Sequence, residues 1–272
     1  MKNLLRSEWQ RLWSQKISWI CFLAIPILLA FSARLHLRRN AQLSPDHQNF
    51  TYANNFPVSS ISEHLIITLN VIVLIIVVLH VAHEYHSGQM RFVLQRTATF
   101  KNIILAKWLT IVSFIALFLF AYFMMSIVFG FIFFDYQSQL TLLFYTETSG
   151  PVEVLLYNLL YYGLAFITLI TMASVMMTFS LLSKSTTGAV VLCVGFIIIS
   201  LMYPNIILLF INTPLAGAII YTSLVLVQFE GITFFLAGGL ETKAFLLTVI
   251  LGYFVLSSLI TSFLTRKRDH FI

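Results

Sequence analysis

Long apolar runs alternate with short polar segments along the whole chain. Six of these runs contain no Asp, Glu, Lys or Arg, and a helix needs roughly 20 apolar residues to cross the hydrocarbon core of a bilayer. Strands of a membrane barrel would alternate polar and apolar side chains, and these runs do not. The pattern therefore predicts an all-α integral membrane fold with a six-span domain over residues 17–264. The spans are expected at 17–33, 65–82, 108–134, 154–182, 189–210 and 244–264.

The segment before the first run has a different period. Leu5, Trp9, Leu12 and Trp13 recur at steps of three and four residues, with polar side chains mainly elsewhere. This spacing predicts an amphipathic helix over residues 1–16 that lies in the membrane interface, with its Trp rings among the headgroups. Such a helix serves as a generic anchor or as an elbow helix that positions the first span, and both roles are compatible with the pattern.

Residues 211–240 are apolar enough for a seventh span but contain Pro214, Glu230 and several glycines. With six spans, 12 of the 16 Lys and Arg residues fall on the side of the two termini. Positive residues mark the cytoplasmic side. We therefore expect both termini in the cytoplasm, a re-entrant or external helical hairpin at 211–240 and a basic cytoplasmic tail at 265–272. Loops 34–61 and 135–153 are then external, and the basic residues of the first one are a local exception.

Composition supports the membrane class. The chain of 272 residues is 59% hydrophobic and 10% charged, whereas soluble domains are about 25% charged. The net charge of +6 is explained by the predicted inner loops, so it does not indicate nucleic-acid binding.

Two kinds of chemistry are missing from the sequence. No glycine is followed by lysine, so the chain lacks the usual phosphate-binding loop for ATP. The predicted spans also lack the carboxylates and lysines on which ion-coupled carriers rely. The chain is therefore not expected to be an enzyme or to bind a cofactor, and energy for any transport has to come from another polypeptide.

Three histidines surround one acid in the sequence His80–His86. His80, His83 and His86 stand three residues apart, and the run from His83 is one residue short of the zinc-peptidase motif H-E-x-x-H. An interfacial location for neutral imidazoles is the simpler interpretation. A metal site, and with it an intramembrane enzyme that also uses Glu84, is the alternative.

One charged loop, residues 83–107, interrupts the apolar pattern between the second and third spans. Within it Met90, Val93 and Leu94 are apolar and Arg91 and Arg96 are basic. This spacing predicts a short amphipathic helix along the cytoplasmic surface. Its basic side chains alone would bind anionic lipid, at about 1 kcal/mol each.

The same loop resembles a segment in permease subunits of ABC transporters of the type-two exporter class. Glu84, Gly88, the pair Val93-Leu94, Lys101 and Lys107 fall in the places of that family's motif. The usual proline is absent, and Lys101 replaces the more usual arginine. The amphipathic start, the six spans and the hydrophobic external hairpin are also similar. The chain length and the context EYHSG are most like the permeases that export, or confer immunity to, antimicrobial peptides.

The resemblance implies that the loop is a coupling helix that docks on a separate cytoplasmic ABC ATPase dimer. The ATPase would bind ATP and Mg²⁺, and a second permease subunit, identical or related, would complete the transporter in a bacterial plasma membrane. A secondary carrier and a non-transporting scaffold or immunity protein remain the alternatives. The residues expected to contact the ATPase are Glu84, Gly88, Met90, Arg91, Val93, Leu94, Arg96 and Lys101.

Overall fold

A computed structural model describes residues 2–45, 47–86, 99–142, 148–210 and 218–268. Within these ranges five helices are long and apolar enough to cross a membrane, and a sixth candidate is a bent pair of helices. These helices are compatible with a multi-pass membrane protein, and the predicted all-helical class is confirmed. The helical bounds are Lys2–Ser14 (α1), Lys16–Asn40 (α2), Phe56–Ile66 (α3), Thr68–Val77 (α4), Glu84–His86 (α5), Phe100–Phe133 (α6), Pro151–Leu182 (α7), Thr186–Phe210 (α8), Leu224–Leu226 (α9), Ile232–Ala237 (α10) and Leu240–Arg268 (α11).

The second predicted span is not one straight helix. α3 and the helix that follows it are bent by 59°, at Ile67, whose φ of −131° and ψ of −54° are not helical. Asn70 stabilises the break because its Nδ2 donates to the carbonyl of Leu65 at 2.8 Å and to Gln228 Oε1 at 2.6 Å. A π-helix, Val78–His83, then joins α4 to α5.

Several helices extend beyond the predicted spans. α2 continues to Asn40 and α3 begins at Phe56, so much of the expected external loop 34–61 is helical. α11 continues to Arg268, so the first residues of the predicted tail are helical. The spans were predicted from apolar runs, which end where polar side chains begin. The helices continue through these polar residues because intrahelical hydrogen bonds do not require apolar side chains.

The structure also corrects the predicted loop 83–107. Phe100 begins α6, and Thr99 caps it by accepting a hydrogen bond from the Asn102 amide at 3.3 Å. Phe100, Ile103 and Lys107 are all fully buried, at the spacing of one helix face. Residues 100–107 are therefore the first two turns of a long helix and not part of a separate loop.

α7 is the central helix of the fold. In its most apolar stretch 72% of residues are buried, compared with 22% in α8 and 17% in α11. Two-residue strands, β1 (Leu140–Thr141) and β2 (Thr148–Ser149), pair antiparallel before α7 begins. Large aliphatic and aromatic side chains on α2, α8 and α11 remain exposed, as expected where helices face lipid.

The segment between α8 and α11 is described from residue 218 onward. α9, a π-helix over Val227–Gly231 and α10 form one short apolar helix, Leu224–Ala237. This helix is shorter than the roughly 20 residues that a span needs.

The N-terminal segment is helical as predicted, whereas its place in the interface and the six-span topology stay predictions.

Candidate functional site

The most concentrated charge in the described part of the chain is buried at one end of the bundle. Lys107 Nζ lies 2.7 Å from Glu8 Oε2 and 2.5 Å from Glu84 Oε2. The three side chains are at most 2% exposed. The lysine therefore bridges two carboxylates from two other elements, in a place that water barely reaches.

Arg11 and His80 complete this group. Arg11 Nη1 donates to Glu84 Oε2 at 2.8 Å and to Glu8 Oε1 at 3.2 Å. The His80 ring nitrogens lie 3.4 Å from Glu8 Oε2 and 3.7 Å from Glu84 Oε1, without hydrogen-bond geometry. We call these five residues the ion-pair cluster. Two carboxylates face one ammonium and one guanidinium, so its formal charges balance when the imidazole is neutral.

Four elements bring these side chains together: α1, the π-helix, α5 and α6. Glu8 and Leu12 are the buried residues of α1, which packs against α6. His80 lies within the π-helix, and Glu84 follows it as the first residue of α5. The wider π turn rotates the residues after it relative to an α-helix, a feature often found at functional sites. Lys107 comes two turns into α6, on the same buried face as Ile103.

The cluster is costly to disturb. Each buried charge loses its hydration, and this loss is compensated only while its partners remain in place. Removing one partner from a buried ion pair typically costs about 3–5 kcal/mol. The cluster consequently holds α1, the π-helix and α6 in one arrangement.

The structure separates the histidines that the sequence analysis grouped as an alternative metal site. His80 is fully buried and His83 is exposed, and the side chain of His86 lies outside the described residues. His80 instead lies near Glu8 and Glu84, whose ligand-type atoms all lie within 4.8 Å of one another. Lys107 Nζ already lies between the two carboxylates, so a cation site there is filled by the protein's own ammonium group.

The predicted coupling residues divide into two groups. Gly88, Met90, Arg91, Val93, Leu94 and Arg96 lie outside the described residues. Lys101 is exposed and lines a narrow cleft of about 160 Å³ beside Trp108 and Thr261. Glu84 is the first residue of α5, but its carboxylate is buried against Lys107 and Arg11 and does not face the surface.

The sequence analysis missed the role of Glu8, and it placed Lys107 at the boundary of a span. Lys107 directly precedes the predicted span 108–134, but it lies inside α6, one of the candidate spans, and is 0% exposed. One signal was present in the sequence. Glu8 falls between Leu5 and Leu12 on the apolar stripe of the first helix, and an acid on such a stripe requires a buried partner.

These features define a helical protein with several candidate membrane spans and a buried ionic junction at one end. The family described as "Protein of unknown function (DUF2705)" matches residues 10–271. The chain therefore belongs to this family. No curated protein matches the chain.

Proposed function

We propose that the chain is the permease subunit of an ATP-driven exporter that moves an amphiphilic or peptide-like substrate, such as an antimicrobial peptide. A separate cytoplasmic ATPase dimer would supply the energy, and a second permease subunit would complete the pathway. Both termini would face the cytoplasm of a bacterial cell, with α1 as the elbow helix and residues 211–240 as the re-entrant hairpin.

One observation carries this proposal. The described chain stops after α5 and resumes at Thr99, and the two ends of this interval are joined where Glu84 pairs with Lys107 at 2.5 Å. The intervening residues contain the amphipathic basic pattern that resembles a coupling helix. A displacement of that segment would therefore act on α1, the π-helix and α6 together, as transmission from an ATPase requires.

The test is purification of the tagged full-length chain from its native membrane in mild detergent. We expect a protein with a nucleotide-binding P-loop to copurify, and its ATP hydrolysis to rise when the reconstituted pair meets substrate. Reversing the charges with Arg91→Glu and Arg96→Glu should reduce copurification while the chain still inserts in the membrane.

Lys184→Glu is the matched control, because Lys184 is exposed in the short turn between α7 and α8, on the same predicted side. If the double reversal and the control copurify equally and hydrolyse ATP equally, the segment is a lipid-binding surface and the coupling assignment is wrong.

The ion-pair cluster favours one second candidate, a secondary carrier. Such carriers need ionisable side chains within their spans, and Lys107 lies within α6, one of the candidate spans. The charges of the ion-pair cluster are balanced, however, and Lys107 lies near the start of α6, whereas carrier sites lie near the bilayer midplane. Transport that continues without ATP and stops when a protonophore collapses the ion gradient would support the carrier.

A further inference from the structure

A cavity of about 390 Å³ lies at the opposite end of the bundle from the ion-pair cluster. It is lined by α2, α3, α7, the chain between α2 and α3, and the π-helix that precedes α10. His36, one of its lining residues, follows Lys16 by 20 residues in α2, which is about 30 Å of helix. We call this space the polar cavity. Its volume falls within the range of about 300–1,000 Å³ that is usual for ligand pockets.

Glu63 is the one carboxylate that lines the polar cavity among the described residues. Its Oε2 accepts a hydrogen bond from Ser32 at 3.0 Å. Its Oε1 accepts one from Arg39 at 3.3 Å and lies 3.4 Å from His36 Nε2. The carboxylate is held in place but remains 23% exposed, so a ligand can reach it.

Asn158 supplies a second acceptor. The residue lines the cavity, is 4% exposed and donates through Nδ2 to the carbonyl of Asn54 at 2.8 Å. Its Oδ1 has no hydrogen-bond partner within the described ranges. A buried amide oxygen without a donor is unfavourable because it has lost its hydration, and a ligand N–H group would remove this cost.

Aromatic side chains form part of the wall. Phe50, Tyr157 and Phe229 line the cavity together with the aliphatic residues Val58 and Leu142. The faces of aromatic rings attract cations, and the aliphatic residues accept a hydrocarbon chain. The acceptors and the wall thus favour the same kind of ligand.

We propose that the polar cavity binds a primary ammonium group carried on an apolar chain, with Glu63 and Asn158 as the accepting residues. The guanidinium of Arg39 occupies the position beside Glu63 in which we expect the ligand ammonium to bind. Its side chain is 50% exposed, and its 3.3 Å contact is longer than the 2.7–2.9 Å of a strong charge-assisted hydrogen bond. The ligand ammonium therefore displaces a weakly held guanidinium. This inference does not depend on the proposed transport function.

The experiment measures binding of hexylammonium, hexanol and hexanoate to the full-length protein in nanodiscs of zwitterionic lipid, by isothermal titration calorimetry. Empty nanodiscs supply the background from partition into lipid. We expect hexylammonium to bind more tightly than the other two probes, which share its chain but not its charge. Equal affinities, or tighter binding of hexanoate, would overturn the proposal.

Variants then locate the site. Glu63→Gln should weaken hexylammonium binding by about tenfold or more while leaving hexanol binding unchanged, because a charged hydrogen bond contributes more than about 1.4 kcal/mol. Arg39→Gln should tighten hexylammonium binding, since it removes the competing cation. Glu241→Gln, an exposed acid outside the polar cavity, is the matched control.

A second variant blocks the cavity without changing any charge, so the location of the site can be tested even if Glu63→Gln does not fold. Ser62 lines the cavity from α3, and Ser62→Phe should abolish binding of all three probes above the background. Hexylammonium binding that survives both Ser62→Phe and Glu63→Gln would place the ligand elsewhere and sink the assignment.

Discussion

The ion-pair cluster and the polar cavity lie at opposite ends of one helical bundle and use the same kinds of side chain in opposite ways. In the cluster Lys107 fills the space between two carboxylates, and the acids are at most 2% exposed. In the cavity the carboxylate of Glu63 is 23% exposed, and no donor among the described residues reaches the amide oxygen of Asn158. The comparison teaches that fully paired buried charges join helices, as in the cluster. Charged and polar groups offer a binding site where open space and an accepting atom remain, as in the cavity.

The largest expected effect comes from breaking the cluster. Lys107→Met leaves the Glu8 and Glu84 carboxylates without their central cation, and we expect the free energy of unfolding to fall by about 3–5 kcal/mol. Chemical unfolding of the purified protein in detergent measures it. Lys101→Met, in the same helix but exposed, should change stability by no more than about 0.5 kcal/mol. Equal losses would show that the cluster holds no special share of the stability.

A smaller effect is expected at the scaffold of the cavity. A Cβ on Gly130 would lie 2.5 Å from the Ala53 carbonyl oxygen, and the neighbouring Asn54 carbonyl accepts the Asn158 hydrogen bond. Gly130→Ala should therefore cost about 1–3 kcal/mol by overpacking and displace that loop. Gly163→Ala in α7 meets no atom within 4 Å and should be neutral or stabilising. Thermal unfolding compares the two variants, and a neutral Gly130→Ala would contradict the close packing.

Removing the cavity carboxylate should cost less than breaking the cluster. Glu63→Gln keeps the shape of the side chain but removes the negative charge beside Arg39, which is half exposed, and beside His36, whose Nε2 lies 3.4 Å away. We expect a loss of about 0.5–1.5 kcal/mol, measured by the same unfolding experiment. A loss as large as that of Lys107→Met would mean that Glu63 is a structural ion-pair residue and that the two ends of the bundle do not differ.

The smallest effect is expected for Arg39→Gln. Exposed ion pairs contribute about 0–1 kcal/mol, and this one has a long contact of 3.3 Å. Stability should change by less than about 0.5 kcal/mol, and raising the salt concentration should reduce even that difference. A loss above about 1 kcal/mol would show that Arg39 stabilises the folded protein and that a ligand ammonium does not readily displace it from Glu63.

Much of the helical framework was predictable because hydrophobicity and capping act locally. Runs without charge identified the five long helices, although α6 begins at Phe100, within the predicted loop 83–107. The same rule placed one straight span at 65–82. It could not find the bend at Ile67, because the break is stabilised by Gln228, 158 residues away.

The predicted coupling residues also show which features follow from local sequence and which depend on distant contacts. The sequence identified Glu84 and Lys107 as members of one charged segment, which the structure joins directly. It did not associate Glu8 with them. The polar cavity was not predicted at all, because its lining side chains come from separate parts of the chain, between residues 36 and 233, and only the tertiary fold brings them together.

The sequence by itself determined the helical class, the five long apolar helices and an amphipathic helix at the start, because each follows from the composition and period of neighbouring residues. Tertiary structure alone decided which charges are buried. Glu8 and Lys107 are 99 residues apart in the chain and 2.7 Å apart in space. The physical reason is that desolvation and pairing depend on what packs around a group, which no local pattern contains.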